Sequence, residues 1–304
     1  MDNVDFLDRF NRHLVDFECE LWDEGEREIK HPFYFIIGTP RSGTTLLTQL
    51  LARCFDFGYI CNLAARFWMA PAVGIRFAQL MLGDKMMPTS QSDYGRTYNL
   101  GDANEFGKFW MHCFGMRDSA DVSLGPPHAC SMDVTLHGLE NISSAFKAPV
   151  VMKGIYPAYY AKQIKEWMGD KCVFVMIDRD PVDCCISIQK GRLMRHSGYR
   201  QWLGWHLPIE VREGVYELPY PEQIAHQVAY FRDYYYSIAD KVMTLYELIH
   251  FPANTLESIT GLSLVKAATQ LSSLQLKTYD DAAVLEDRKV FKKLLEREGG
   301  MSVD

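Results

Sequence analysis

Most of the features that assign a protein quickly are missing from this chain. Its eight cysteines (Cys19, Cys54, Cys61, Cys113, Cys130, Cys172, Cys184, Cys185) form no C-x-x-C pair, and none sits in a histidine-flanked spacing that suggests zinc. A zinc site is therefore not expected, and buried free thiols are. Basic residues are not in surplus: 32 Lys and Arg stand against 39 Asp and Glu, a net charge of -7. That balance argues against a general basic face for nucleic acid, so a small anionic ligand would have to be met by a local cluster. Long apolar runs are absent too. The first thirty or so residues carry acids throughout, and residues 73–81, the most apolar stretch that follows, are interrupted by Arg76 and Gln79. A buried helix is expected there rather than a transmembrane segment, and a cytoplasmic protein is expected. Repeats and low-complexity tracts are also lacking.

What remains is an ordinary globular composition, 48% hydrophobic and 23% charged over 304 residues, enough for a large core. One domain over 1–304 is expected, with 1–32 as an N-terminal helical segment. In residues 5–22, Phe6, Phe10, Leu14, Phe17 and Leu21 recur at helical spacing and predict an amphipathic helix that packs on the body. Residues 33–37 form a short aromatic and β-branched run ending at Gly38, and Leu46, Leu47, Leu50, Leu51 and Phe55 then recur at helix spacing. The local order is strand, tight loop, helix.

The same unit returns twice. Residues 150–152 predict a strand, followed by a helix around 160–168. Residues 173–177 predict another, ending in Asp178-Arg179-Asp180-Pro181, with Pro181 opening a helix that Asp180 caps. Further on, 223–239 reads as helix, 242–246 as strand and 252–259 as helix. Strands alternating with helices imply an α/β fold, a parallel β-sheet flanked by helices with ligands at the strand carboxyl ends. Residues 66–148 break the rhythm and predict an aromatic-rich helical insertion covering the site. Phe67, Trp68, Phe106, Phe109, Trp110, Phe114, Trp202 and Trp205 could line an acceptor pocket, although such residues are more often core.

The segment Gly38-Thr-Pro-Arg41-Ser42-Gly43-Thr44-Thr45 carries the chemistry. It has the spacing of a phosphate-binding loop, in which backbone amides and a helix N-terminus converge on an anion. Hydroxyls of Ser42, Thr44 and Thr45 can donate further bonds. Nucleotide hydrolases carry Lys where this chain has Thr44, so Arg41 is the one cation inside the loop, and its planar fork suits an oxyanion. Downstream, Arg179 sits at a strand end and Ser187 two helical turns later, so both could face one phosphate.

Taken together, these pieces resemble the sulfotransferases that use 3′-phosphoadenosine 5′-phosphosulfate (PAPS), over most of the chain. That family has a P-[RK]-S-G-T-[TS] loop, matched by Pro40 to Thr45, and an Arg followed eight positions later by Ser, matched by Arg179 and Ser187. The resemblance implies a P-loop-like fold, PAPS as co-substrate with adenosine 3′,5′-bisphosphate (PAP) as product, and no metal. It implies that Arg41, Ser42, Gly43, Thr44 and Thr45 hold the phosphosulfate and that Arg179 and Ser187 hold the 3′-phosphate. Lys153, ending a strand as in the family, would stand at the reacting centre, and Tyr246 would reach the adenine.

Neither base familiar from the family is present: Ile155 stands where cytosolic animal members carry His, and the stretch of Asn62 where others carry Glu. Acidic and imidazole candidates are Asp102, Glu105, His112, His128 and Asp133, with Glu105 favoured and Asp102 second, because the segment 101–106 resembles an acidic acceptor-side segment of bacterial members. The acceptor is expected to be a hydroxyl or amine of a carbohydrate, lipid or phenol. Two other readings stay open: a P-loop kinase or nucleotide-binding protein, which would want a loop Lys and a Mg²⁺ carboxylate such as Asp178, and a non-catalytic PAP-binding protein.

Overall fold

A computed structural model describes residues 3–21, 28–89, 97–123, 132–195, 202–265 and 284–299. In chain order the elements begin with α1 (Asn3–Glu20), β1 (Phe33–Ile37), α2 (Thr44–Cys54), β2 (Gly58–Tyr59), α3 (Pro71–Leu82), α4 (Gly107–Cys113), α5 (Met132–Phe146) and β3 (Val150–Lys153). They continue with α6 (Ile155–Tyr159), α7 (Ala161–Met168), β4 (Cys172–Asp178), α8 (Pro181–Arg195), α9 (Ile209–Arg212), α10 (Tyr220–Ile238), β5 (Lys241–Thr244), α11 (Leu245–His250), α12 (Pro252–Thr260) and α13 (Leu285–Gly299).

The five strands form one sheet in the order β2-β3-β1-β4-β5, and every neighbouring pair is parallel. All five residues of β1, Phe-Tyr-Phe-Ile-Ile, are buried, as a central strand covered on both faces must be. Because β3 and β4 flank β1 on opposite sides, the carboxyl ends of these three strands form the crevice where chain direction switches and ligands bind in open α/β sheets. A second apolar cluster packs α8 and α10 against α13 through Val182, Cys185, Ile186, Ile224, Val228, Phe291 and Leu295.

Several sequence expectations shift. The aromatic stripe of α1 does not face the core: Phe6 and Phe17 are about half exposed, whereas Asn11 and Glu18 are buried. Asn11 reaches the Arg66 carbonyl at 2.8 Å and accepts from the Met69 amide at 3.0 Å. Both carboxylate oxygens of Glu18 accept from the first amides of α3, Ala72 and Val73, at 2.9 Å, an anion on a helix N-terminus. Trp22, at the end of the expected helix, lies outside the described residues. The expected buried helix, α3, does form, but Phe77, Leu80 and Met81 on it are exposed. The helix expected around 160–168 forms as α7, and a further short helix, α6, stands before it. Tyr246 is not on a strand: β5 stops at Thr244, whose hydroxyl caps the Glu247 amide while the Glu247 side chain accepts from the Thr244 amide, a capping box that starts α11. No helix among the described residues is long and apolar enough to cross a membrane.

Candidate active site

The loop after β1 is built from close approaches. A side chain on Gly38 would place its Cβ 2.5 Å from the Ile177 carbonyl oxygen. Gly43 adopts φ 113°, a conformation open to glycine, and packs against Leu245 and Ile177 as it caps α2. The first intrahelical bond of α2 runs from the Leu47 amide to the Gly43 carbonyl at 3.0 Å, which leaves the preceding amides of the helix without intrahelical acceptors. Thr44 and Thr45 open the helix and are buried, and the Ser42 hydroxyl is wholly buried with no partner among the described residues. Such an orphaned donor, beside unpaired helix amides, fits an anionic ligand.

Arg41 takes φ 76°, strained for a residue with a Cβ. From there its Nε donates to Ser187 Oγ at 3.0 Å. Arg179 Nη1 donates to the Arg41 carbonyl at 3.2 Å, and its Nη2 lies 3.4 Å from Asp183 Oδ2. The loop and the Arg179/Ser187 cluster, remote in sequence, are therefore contiguous. Asp180 caps α8 as expected, accepting from the Asp183 amide at 2.7 Å.

On the other side of β1, Lys153 ends β3 almost fully buried, and its Nζ is paired with Glu105 Oε1, whose side chain is 38% exposed. Glu105 is held between Asn104, whose side chain accepts from the Phe106 amide at 2.8 Å, and Phe106, buried at φ 54°. Asn62 Oδ1 accepts from Asn104 Nδ2 at 2.7 Å, and Asn62 Nδ2 donates to the Asn99 carbonyl at 2.8 Å. Where the resemblance led one to look for a base, the chain thus has an amide that braces the loop carrying Glu105. Tyr156 beside it is pushed up to about 12, by burial first and then by the Glu105 charge.

Asp102, the second-choice base, is otherwise engaged. Its oxygens accept from the Thr89 amide at 2.7 Å, the Asn99 amide at 3.0 Å and Asn99 Nδ2 at 3.2 Å, and the residue is buried. Burial pushes its carboxyl up, but these hydrogen bonds outweigh burial and hold it below the usual carboxylate range. It is a loop lock. His112 and Asp133 lie on exposed faces of α4 and α5, and His128, like Cys130, lies outside the described residues.

Tyr246 is exposed on α11, its ring 4.1 Å from that of His250, one residue beyond the Leu245 side chain that touches Gly43. The aromatic residues Phe106, Phe109, Trp110 and Phe114 are core: each is fully buried, and Trp110 packs edge-on to Phe35 of β1 at 6.0 Å. Trp205, a candidate for the acceptor pocket, instead donates its Nε1 to the Gly38 carbonyl at 3.3 Å, while Gly204 packs on Pro40. Gln227 of α10 fixes that strap by donating to the Leu203 and Trp205 carbonyls.

Asp178, at the end of β4, is clamped by Arg232 through two bonds of 3.1 and 2.9 Å and by the Tyr236 hydroxyl at 2.8 Å. A carboxylate held in a bidentate guanidinium pair is a structural ion pair.

A family model described as the sulfotransferase family matches residues 32–230. The fold is similar to the crystal structure of sulfotransferase STF1 from Mycobacterium tuberculosis H37Rv, with a TM-score of 0.55 and 13% identity over 95% of this chain and 82% of that one. Among curated proteins there is no match.

Proposed function

The chain belongs to the sulfotransferase family, and from that premise we propose that it moves the sulfonyl group of PAPS to a hydroxyl or amine of a small-molecule, glycan or lipid acceptor. The observation that carries this reading is the bond between Arg41 in the first loop and Ser187 on α8, 3.0 Å long. It joins residues suited to the two ends of an adenosine bisphosphate, which supports one continuous donor site.

In this reading the amides of residues 43–45, the orphaned Ser42 hydroxyl and Arg41 hold the phosphosulfate, and Arg179 and Ser187 hold the 3′-phosphate. The Tyr246 ring, beside the loop, offers the adenine a stacking face. PAPS supplies the activated sulfonyl group. The acceptor oxygen or nitrogen forms its bond to sulfur as the bond from sulfur to the 5′-phosphate oxygen breaks, and the leaving oxygen keeps the electron pair. Lys153 and Arg41 stabilise that developing charge, the electrostatic contribution that usually dominates. Glu105 takes the acceptor proton. The pairing of Lys153 with Glu105 supports this division of labour, because it brings the cation for the leaving group and the base for the acceptor to the end of one strand. The engagement of Asp178 by Arg232 weighs against the kinase reading, which needs that carboxylate for Mg²⁺.

The test is transfer from labelled PAPS to a panel of phenols, glycans and lipids by the full chain and by E105Q. The wild type is expected to label at least one acceptor class, and E105Q to lose roughly a hundredfold in rate. Binding of PAP without transfer to any acceptor would replace this reading with that of a non-catalytic nucleotide-binding protein.

A further inference from the structure

Helix α13 lies beyond the residues the family model matches, 32–230. Its Arg288 reaches the Arg179 cluster. Arg288 Nη1 bonds Asp183 Oδ1, while the other oxygen of Asp183 faces Arg179 Nη2 at 3.4 Å. One carboxylate is thus shared between two guanidinium groups, all three groups being at most 28% exposed.

We infer that Arg288 is a positioning residue of the donor site, which offsets the charge of Asp183 so that this carboxylate, in contact with Arg179, repels the 3′-phosphate less. The inference rests on the donor reading above. Without Arg288, Arg179 and Asp183 would form a self-neutralising pair. A carboxylate would then stand beside the guanidinium that has to meet a dianion, and in a partly buried site that repulsion is weakly screened. With Arg288, the three groups sum to one positive charge. Nor is Arg288 needed to dock the helix, because Val284, Phe291 and Leu295 bury the apolar face of this segment against α8 and α10, and Glu298 pairs with His226 at 2.5 Å.

Calorimetric titration of the full chain with PAP and with 5′-AMP, which lacks the 3′-phosphate, tests this. R288A is expected to lose about tenfold or more in PAP affinity and nothing in 5′-AMP affinity. R288K should retain most of the PAP affinity, because it keeps the charge. Adding D183N to R288A should restore PAP binding, which a purely structural role would not do. K289A, which removes an exposed cation of the same helix, should behave as wild type. Should R288A fail to melt cooperatively, R288M keeps the aliphatic stem and carries the same comparison. PAP affinity unchanged in R288A, or lowered further by the added D183N, overturns the inference while the donor reading stands. A wild type that binds PAP no tighter than 5′-AMP overturns both.

Discussion

Arg41 Nε and Ser187 Oγ lie 3.0 Å apart although 146 positions separate them in the chain. The bond joins the loop after β1 to the helix after β4, two elements set side by side because β1 and β4 are parallel neighbours. The guanidinium of Arg179 meets the same loop, donating to the Arg41 carbonyl two residues before Gly43. Parallel pairing is what brings the two separate strand-end motifs into contact, as the proposed donor site requires.

The conformation of Arg41 separates its functional from its structural contribution. At φ 76° a side chain with a Cβ is strained by about 1 kcal/mol, a cost glycine does not carry. R41A and R41G lose the Ser187 bond equally, so R41G is expected to be more stable than R41A by about 1 kcal/mol in urea denaturation. Both should lose sulfonyl transfer by roughly 2 to 4 kcal/mol in the barrier, as expected for removal of one charged donor. Equal stability of the two variants would show that the backbone at this position is unstrained.

Asp102 predicts how the Glu105 loop responds to acid. Its folded pKa is held below the unfolded value by three donors, so its stabilisation is present above the ordinary carboxylate pKa and is lost as pH falls through the folded value. D102N should therefore be destabilised by about 1 to 3 kcal/mol at neutral pH, with the gap to wild type closing as pH drops below about 4. Chemical denaturation at a series of pH values checks this. A gap that widens in acid would contradict it.

Arg232 and Asp178 are expected to matter for folding rather than for a metal. Breaking a pair of this burial costs roughly 3 kcal/mol. D178N should lower the urea midpoint accordingly, while transfer by the folded fraction stays unaffected by Mg²⁺. A Mg²⁺ requirement that D178N abolishes would restore the carboxylate to the active site.

Part of this was legible in the sequence because it is local. The run of β1, the glycines of the loop and the order strand, loop, helix depend on near neighbours, so periodicity and spacing exposed them, and the parallel sheet followed from their repetition. Lys153 and Glu105 came from resemblance, and only the fold brings them together, across 48 positions. What stayed hidden is polar and long-range. The apolar stripe of α1 pointed to Phe6 and Phe17, yet the helix is fixed by buried Asn11 and Glu18, whose partners lie more than fifty residues away. Asp102 and Glu105 were two acids in one loop, and only the hydrogen bonds of Asp102 tell the lock from the candidate base. Residues 242–246 read as a strand through to Tyr246, but the Thr244/Glu247 capping box opens α11 at Leu245 and outweighs that propensity.

The central claim, that one adenosine bisphosphate spans the Arg41 loop and the Arg179/Ser187 cluster, is tested most directly by titrating the wild-type chain with PAP, 5′-AMP and Mg-ATP under identical salt. PAP is expected to bind at least about tenfold more tightly than either, because it alone engages both phosphate clusters. Preference for Mg-ATP, or equal binding of PAP and 5′-AMP, would contradict the account.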